Sequence, residues 1–267
     1  MPTYLLAPVS YHTGSLATQS RDMTVAVLER ADIGEATGVL DVGCGAGQTL
    51  RVIEELNKTA LLVGVDPDET SCRCGRQESG RIHFLKGEGE RLPLADATFS
   101  HVVCRVAINY MHQETALREL ARVLAPGGTM ILAFHGIGFN LRQVLRPWRG
   151  GLRQWLGDIK DLLAGMALQL GQIQARRGTF WGHSAPYTSC QRLRHQLRER
   201  DCTMTWLRCE RRFLGTAVSW WTIITKSCSA AIVTSKSAKV GQPESAFRMT
   251  EFSTGYGCCG EKVACGR

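Results

Sequence analysis

Along the first 135 residues, short, mainly apolar runs alternate with segments whose apolar residues recur every three or four positions. The runs are Gly38–Val42, Leu61–Val65, Ile82–Leu85, a stretch within Ala97–Ile108, and Thr129–Phe134. A continuous apolar run of this length suits a parallel strand covered on both faces. Between the runs the period changes. Asp22 to Arg30 places Met23, Val27 and Leu28 on one helical face, and a second helix is expected from about Gln48 to Asn57. Glu114 to Leu124 has Leu117, Leu120, Ala121 and Leu124 at helical spacing, with Glu114 and Arg118 one turn apart. Pro126-Gly127-Gly128 is expected to end that helix. Strand and helix in alternation predict an α/β fold with a parallel sheet.

Beyond His135 the pattern changes. Leu152, Trp155, Leu156, Ile159, Leu163, Met166, Leu170 and Ile173 form one long helical stripe, interrupted by Gly157, Gly165 and Gly171. Gln191 to Arg200 suits another helix. Thr203–Glu210 and Val218–Lys226 read as a closing β-hairpin, and the domain is expected to end near Ser227. Residues 228–267 are rich in Ser, Gly and Cys without a period, which predicts disorder.

Composition narrows the class of protein. The 267 residues carry a formal charge of +8, which permits a nucleic-acid or membrane partner without requiring one. No stretch approaches the roughly 18 apolar residues of a membrane span. Met1-Pro2-Thr3-Tyr4-Leu5-Leu6 lacks the basic and apolar regions of a signal peptide, so a cytoplasmic location is expected. Of the eleven cysteines, Cys44, Cys104, Cys202 and Cys209 sit singly and read as reduced interior residues. Cys72-Arg73-Cys74 is too tight for a zinc knuckle, and Cys258, Cys259 and Cys265 have no histidine nearby. No metal site is expected.

The chemistry starts at Val39-Leu40-Asp41-Val42-Gly43-Cys44-Gly45-Ala46-Gly47-Gln48, a strand that ends beside an acid and opens into three alternating glycines. Such a turn lets the backbone bend sharply or lets a ligand approach the free N–H groups of the next helix. The dinucleotide spacing G-x-G-x-x-G fails, because Gln48 stands where its third glycine belongs. No Gly-Lys-Ser/Thr follows either, which removes a Walker phosphate loop. The second strand stops at Asp66, about 20 residues past the turn, where an acid can accept both hydroxyls of a ribose. Asp68 reads as a helix-start acid.

The turn resembles motif I of the class I S-adenosylmethionine-dependent methyltransferases, and the chain from Val39 to His135 resembles their type-11 group. Lys86-Gly87-Glu88-Gly89-Glu90-Arg91-Leu92-Pro93 is similar to the family's Gly-Asp-Ala-Glu-x-Leu-Pro segment, with Glu88 for the aspartate and Gly89 for the alanine. Phe99-Ser100 stands where the family has Phe-Asp, a change read as structural. Ala121-Arg122-Val123-Leu124-Ala125-Pro126-Gly127-Gly128 is similar to its ARVLKPGG run, and Ser219–Lys226 to its last strand.

The resemblance implies a Rossmann-like seven-stranded methyltransferase sheet with helices on both faces and a helical insert after the fifth strand. It implies S-adenosylmethionine as cofactor. Asp41 would organise the turn and the cofactor's amino end, and Gly43, Cys44, Gly45 and Gly47 would form the loop. Asp66 would bind ribose beside Pro67, and Glu88 with Gly89 the adenine. Cys104 and Arg105 would approach the methionine end. It also implies five segments: an N-terminal cap over 1–37, the cofactor-binding core over 38–138, an insert or lid over 139–190, a closing helix and hairpin over 191–227, and the tail. Methyl transfer mainly needs alignment, and a base only if the acceptor must lose a proton. His135 and His112 are the candidates, ahead of Tyr11, Tyr110 and His183. The family's amine- and amide-directed members carry Asn-Pro-Pro-Tyr/Phe after the fourth strand, whereas this chain has Arg105-Val106-Ala107-Ile108. That difference points to an oxygen or carbon of a small-molecule acceptor. The alternatives are a nucleic-acid-directed methyltransferase, suggested by the charge, and an inactive cofactor-binding relative. The insert's mixture of Arg142, Arg146, Arg149 and Arg153 with Trp148 and Trp155 would suit peripheral contact with anionic lipid.

Overall fold

A computed structural model describes residues 19–145, 151–171 and 187–228. Tyr11, Trp148, Ile173, His183 and the tail beyond Cys228 lie outside the described residues. Helix α1 (Gln19–Arg30) leads into β1 (Gly38–Val42), α2 (Gln48–Leu56), β2 (Leu61–Asp66), α3 (Glu69–Glu78) and β3 (Ile82–Lys86). Then come β4 (Phe99–Arg105), a 3₁₀ turn over Ala107–Tyr110, α4 (Gln113–Val123) and β5 (Leu124–His135). Helices α5 (Ile137–Val144), α6 (Gly151–Gly171) and α7 (Cys190–Arg198) precede the hairpin β6 (Cys202–Phe213) and β7 (Thr216–Lys226).

The seven strands form one sheet in the order β3-β2-β1-β4-β5-β7-β6. The first five pair in parallel, and β7 runs antiparallel to both β5 and β6. Successive residues of a strand face opposite sides, and the core divides accordingly. Leu40, Val42, Val102 and Leu132 pack with Leu117 and Leu120 of α4 on one side. Val39, Leu62, Val103 and Ile131 pack with Val27, Leu28, Leu50 and Ile53 of α1 and α2 on the other. The chain order reverses between β1 and β4, the switch point where open sheets of this kind hold ligands at the carboxyl ends of their strands.

Local chemistry explains several boundaries. Asp68 caps α3, a helix the apolar pattern did not announce, by accepting the N–H groups of Thr70 and Ser71. Ser100 accepts from the N–H groups of Thr37 and Gly38 and donates to the Gly38 carbonyl, so it ties β4 to the start of β1, a structural role as expected. The hairpin turns at Leu214 and Gly215, both at positive φ, the geometry of a type I′ turn. Lys226 donates from Nζ to the carbonyls of Ala121 and Leu124, each at 2.7 Å. A cation is favourable against the free carbonyls at a helix end, which gives the terminal lysine of β7 its function.

Pro126-Gly127-Gly128 does not terminate α4. The helix stops at Val123 and β5 begins at once, pairing Leu124 with Phe99. The register then shifts, and pairing resumes at His101 with Thr129. The three residues form a bulge inside the strand, with Gly127 at φ +75°.

Candidate cofactor and acceptor site

The carboxyl ends of β1, β2 and β4 bring Asp41, Asp66 and Arg105 together around the glycine turn. Gly43, Gly45 and Gly47 all have positive φ, of +76°, +55° and +82°. Two of them are glycine because of packing. A Cβ on Gly43 would lie 2.2 Å from that of Ala107, and one on Gly47 would lie 2.6 Å from the tip of the Phe84 ring. Gly45 differs, since a Cβ there would meet nothing within 4 Å.

Beside that open side stands Asp66. Its Oδ2 accepts the Gly45 N–H at 2.8 Å and its Oδ1 accepts the Asp68 N–H at 2.9 Å. Each carboxylate oxygen can accept more than one hydrogen bond, and the side chain is half-buried. Pro67 is exposed next to it.

Asp41 is almost fully buried. Burial raises its carboxyl from 3.8 to about 7; the Arg105 guanidinium opposes that rise and the Asp66 charge adds to it. Arg105 also reaches Thr24 of α1, donating to its Oγ1 at 3.4 Å. Thr24, which is buried, thereby joins α1 to Arg105, and nothing in its helical pattern signals that.

The loop expected on the adenine side is held from behind. Glu90 Oε1 accepts the His112 N–H at 2.8 Å, and Glu119 accepts the Leu92 N–H at 2.9 Å. Arg122 bonds Glu119, Asp96 and the carbonyls of Leu92 and Leu94. This framework leaves Glu88 exposed at the rim, bridged through its backbone to Arg91. Gly89 is buried, and a Cβ there would stand 2.5 Å from the Met111 sulfur. Met111 thus fills the space of the missing methyl, the physical counterpart of glycine in place of alanine.

The two cysteines expected at the site have buried thiols. Cys104 is wholly buried and Cys44 nearly so. Burial pushes both thiols up, with the nearby Asp41 charge next in effect, which removes them as thiolates. Among the described residues no group of three or more His, Cys, Asp or Glu is arranged to hold a metal.

At the end of β5, the His135 N–H donates to Asn109 Oδ1 at 2.9 Å, and its carbonyl accepts the Thr188 N–H at 3.1 Å. Its ring stacks on Phe139, centroids 3.8 Å apart and planes 1° from parallel. Burial, with the Arg142 charge second, lowers the imidazole to about 4. Its Nδ1 is buried and meets no hydrogen-bonding partner among the described residues. His112 is differently committed, with Nδ1 2.9 Å from Thr115 Oγ1 at the start of α4. Tyr110 is exposed.

Between these groups the chain leaves β4 through Val106, at φ +66° and ψ −30°. A β-branched residue rarely adopts positive φ. The conformation is held by bonds from the Val106 N–H to the Ala133 carbonyl and from the Asn109 N–H to the Val106 carbonyl. Backbone strain of this kind gathers at functional sites. Asn109 is fully buried and links this turn to His135; a single Asn between Ile108 and Tyr110 gives no sequence signal of that.

Residues 40–132 match the protein-family model of the methyltransferase domain. Over those residues the chain is similar to a methyltransferase domain. An uncharacterized methyltransferase, YodH, of Bacillus subtilis is 30% identical over 51% of this chain and 55% of its own length. A ubiquinone/menaquinone biosynthesis C-methyltransferase, UbiE, of Pseudomonas fluorescens is 30% identical over 39% and 44%. An O-methyltransferase of Pyrenophora dematioidea is 31% identical over 45% and 47%. The chain thus spans about half the length of the curated relatives it matches. An S-adenosylmethionine-dependent methyltransferase from Mesorhizobium loti superposes with a TM-score of 0.54 at 14% identity, over 75% of this chain and 96% of its own. Likeness at that identity concerns the fold.

The methyltransferases that this fold resembles use S-adenosylmethionine, and the residues present fit that group. The open side of Gly45 admits a ligand where Gly43 and Gly47 are closed by protein atoms. The acids flanking it suit a ligand with ribose hydroxyls and a cationic amino group.

Proposed function

We propose that this methyltransferase domain transfers a methyl group from S-adenosylmethionine to an oxygen or carbon of a small-molecule acceptor. The observation that carries the reading is the open face of Gly45 beside Asp66, within a turn otherwise filled by protein. When bound, the cofactor supplies an electrophilic methyl group, and the protein's task is alignment. Asp66 holds the ribose, and Glu88 with Gly89 borders the adenine. Asp41, poised near neutrality, takes its charged form beside the cofactor's ammonium, with Arg105 tempering the cost of burial.

Two features support the acceptor class. The strained exit from β4 reads Val106-Ala107-Ile108-Asn109 and lacks the Asn-Pro-Pro-Tyr/Phe of amine- and amide-directed members. The relatives matched include an O-methyltransferase and a C-methyltransferase. His135 remains uncharged at neutral pH, so it accepts a hydrogen bond from the acceptor and positions it. A histidine this depressed is a weak base, which favours acceptors whose proton is already acidic. The segments before β1 and after β5 are proposed to cover the site, with α5 and α6 on the acceptor side.

The test is calorimetric titration with S-adenosylmethionine, followed by incubation of a small-molecule extract with methyl-labelled cofactor. Saturable cofactor binding and label in an ether or carbon-methyl product support the reading. Absence of cofactor binding overturns it. Binding without a labelled product from small-molecule, RNA or protein pools would instead indicate the inactive relative.

A further inference from the structure

The long helix α6 exposes an apolar stripe where a globular protein would bury one. Leu152, Leu156, Leu163, Met166 and Leu170 are 70, 54, 48, 43 and 84% exposed. At 100° per residue they fall, with Ile159, within an arc of about 80°, and the stripe runs about 27 Å along the helix. The opposite face is the one that packs. Leu168 is fully buried there, and Gly165 sits so close to the Tyr187 ring that a Cβ would lie 2.3 Å from it. Trp155 fixes the helix to α5 by donating from Nε1 to the Val144 carbonyl at 3.0 Å. Arg192 and Gln169 tie the same region to the Leu168 and Tyr187 carbonyls. The stripe is therefore the outer face of an anchored helix. By register, Asp158 and Asp161 lie away from it and Lys160 flanks it.

Charge identifies what the stripe meets. Residues 137–200 hold eleven Lys and Arg against three Asp and Glu, a net +8. The remaining residues hold 21 of each, so the protein's whole formal excess lies in the segment that bears the stripe. A second copy of the chain would bring two such positive segments together. A nucleic acid would satisfy the charge but has no use for a row of leucines. An anionic bilayer answers both features, taking the apolar face into the acyl boundary and the cations at the headgroups.

We infer that α6 is a membrane-surface helix by which this protein docks, without spanning, on anionic lipid. No described helix is long and apolar enough to cross a membrane. The inference stands apart from methyl transfer, because it concerns the outer face of α6 rather than the cofactor turn.

The test is flotation of the full-length protein with phosphatidylcholine vesicles containing roughly 30% phosphatidylglycerol, and with pure phosphatidylcholine. Binding to the anionic vesicles is expected, about tenfold or more weaker on neutral ones and weakened by salt. The double variant Leu156→Gln, Leu163→Gln should lose about tenfold in vesicle affinity while keeping its melting temperature and its S-adenosylmethionine affinity. If that variant fails to fold, Leu170→Gln, at the most exposed position, gives a several-fold loss by the same readout. The inference is overturned by absent binding to anionic vesicles, by equal binding to both compositions, or by folded variants that bind like the wild type. Loss of self-association or of RNA binding in the variants, without vesicle binding in the wild type, also overturns it. Cofactor titration of the same samples reports the methyltransferase reading separately.

Discussion

Gly43 stands so close to Ala107 that a single methyl on the glycine would lie 2.2 Å from the alanine's own. One residue opens the proposed cofactor turn, and the other begins the 3₁₀ turn after β4, towards the proposed acceptor side. The two halves of the site are thus set against each other by the smallest pair of side chains that can meet there. At Gly45, two residues on, a methyl would meet nothing within 4 Å.

Two glycines two residues apart therefore make opposite predictions. Gly43→Ala should destabilise the fold by about 1–3 kcal/mol through overpacking, seen as a lower midpoint in denaturant unfolding. Ala107→Gly should restore part of the loss. Gly45→Ala should cost only the roughly 1–2 kcal/mol of left-handed strain at φ +55°, with no overpacking to relieve, and should weaken S-adenosylmethionine binding sharply. Normal cofactor affinity in Gly45→Ala would remove that face from the site.

Asp41 predicts a pH dependence. Its native carboxyl titrates at about 7, whereas an exposed one titrates at 3.8. Between those values the unfolded chain has lost the proton that native Asp41 still holds. The native state binds more protons, so this group makes stability fall as pH rises through the window and level off above about 7. Asp41→Asn should flatten that slope. Cofactor affinity should move the other way, rising with pH towards 7 because the ammonium prefers the ionised carboxylate. A pH series of unfolding midpoints and Kd values checks both signs, and parallel trends would refute the assignment.

The frame was legible because burial on both faces leaves its mark in apolar runs. The bounds of β1 and the end of β2 at Asp66 follow from runs that stop at a polar or glycine residue. Of helix α3 only the start was legible, through the capping acid Asp68; its extent was not, since only Cys72 and Gly75 of its ten residues are buried. The bulge at Pro126-Gly127-Gly128 looks like a helix end in sequence because proline and glycine end helices and bend strands alike. At the site, the glycine spacing pointed to a turn but could not say which glycine is open. That distinction depends on Ala107 and Phe84, which are distant in sequence. Thr24 and Asn109 were illegible for the same reason.

Asp66 predicts a binding loss. Asp66→Ala should weaken S-adenosylmethionine binding by roughly 1.5–3 kcal/mol, the range for hydrogen bonds to a charged group. The same change releases the Gly45 and Asp68 N–H groups, so part of the loss comes from the loop. Competition by adenine alone should change less than binding of the whole nucleoside. Unchanged affinity in a folded variant would place the ribose elsewhere.

His135 predicts a flat profile. With its imidazole lowered to about 4, it stays neutral from pH 6 to 8, and turnover should show no break there on its account. Below its ordinary value of 6.5 the unfolded chain takes up a proton that native His135 refuses. Its contribution to stability is therefore whole above 6.5 and is lost as pH falls towards 4. His135→Phe should remove that acid sensitivity. In turnover it should raise KM for the acceptor more than it lowers kcat, since a positioning hydrogen bond is lost. An acid limb near pH 6.5 that vanishes in His135→Phe would instead make it a base of ordinary strength.

The last prediction concerns a glycine that props the turn from a distance. Gly75 lies in α3, where alanine ordinarily stabilises a helix by about 1 kcal/mol. Here a Cβ on Gly75 would lie 2.5 Å from the tip of the Phe84 ring, and one on Gly47 would lie 2.6 Å from the same atom. The ring is a wedge between the helix and the cofactor turn, and it cannot yield to one without pressing on the other. Gly75→Ala should therefore destabilise by about 1–3 kcal/mol, reversing the usual sign. It should also weaken cofactor binding, because the displaced ring pushes Gly47. In a Phe84→Leu background, already weakened by the smaller core side chain, adding Gly75→Ala should be neutral or stabilising. A double-mutant cycle on unfolding midpoints isolates that coupling. If the two changes simply add, the wedge does not transmit between α3 and the turn, and Gly75 would be an ordinary helical glycine.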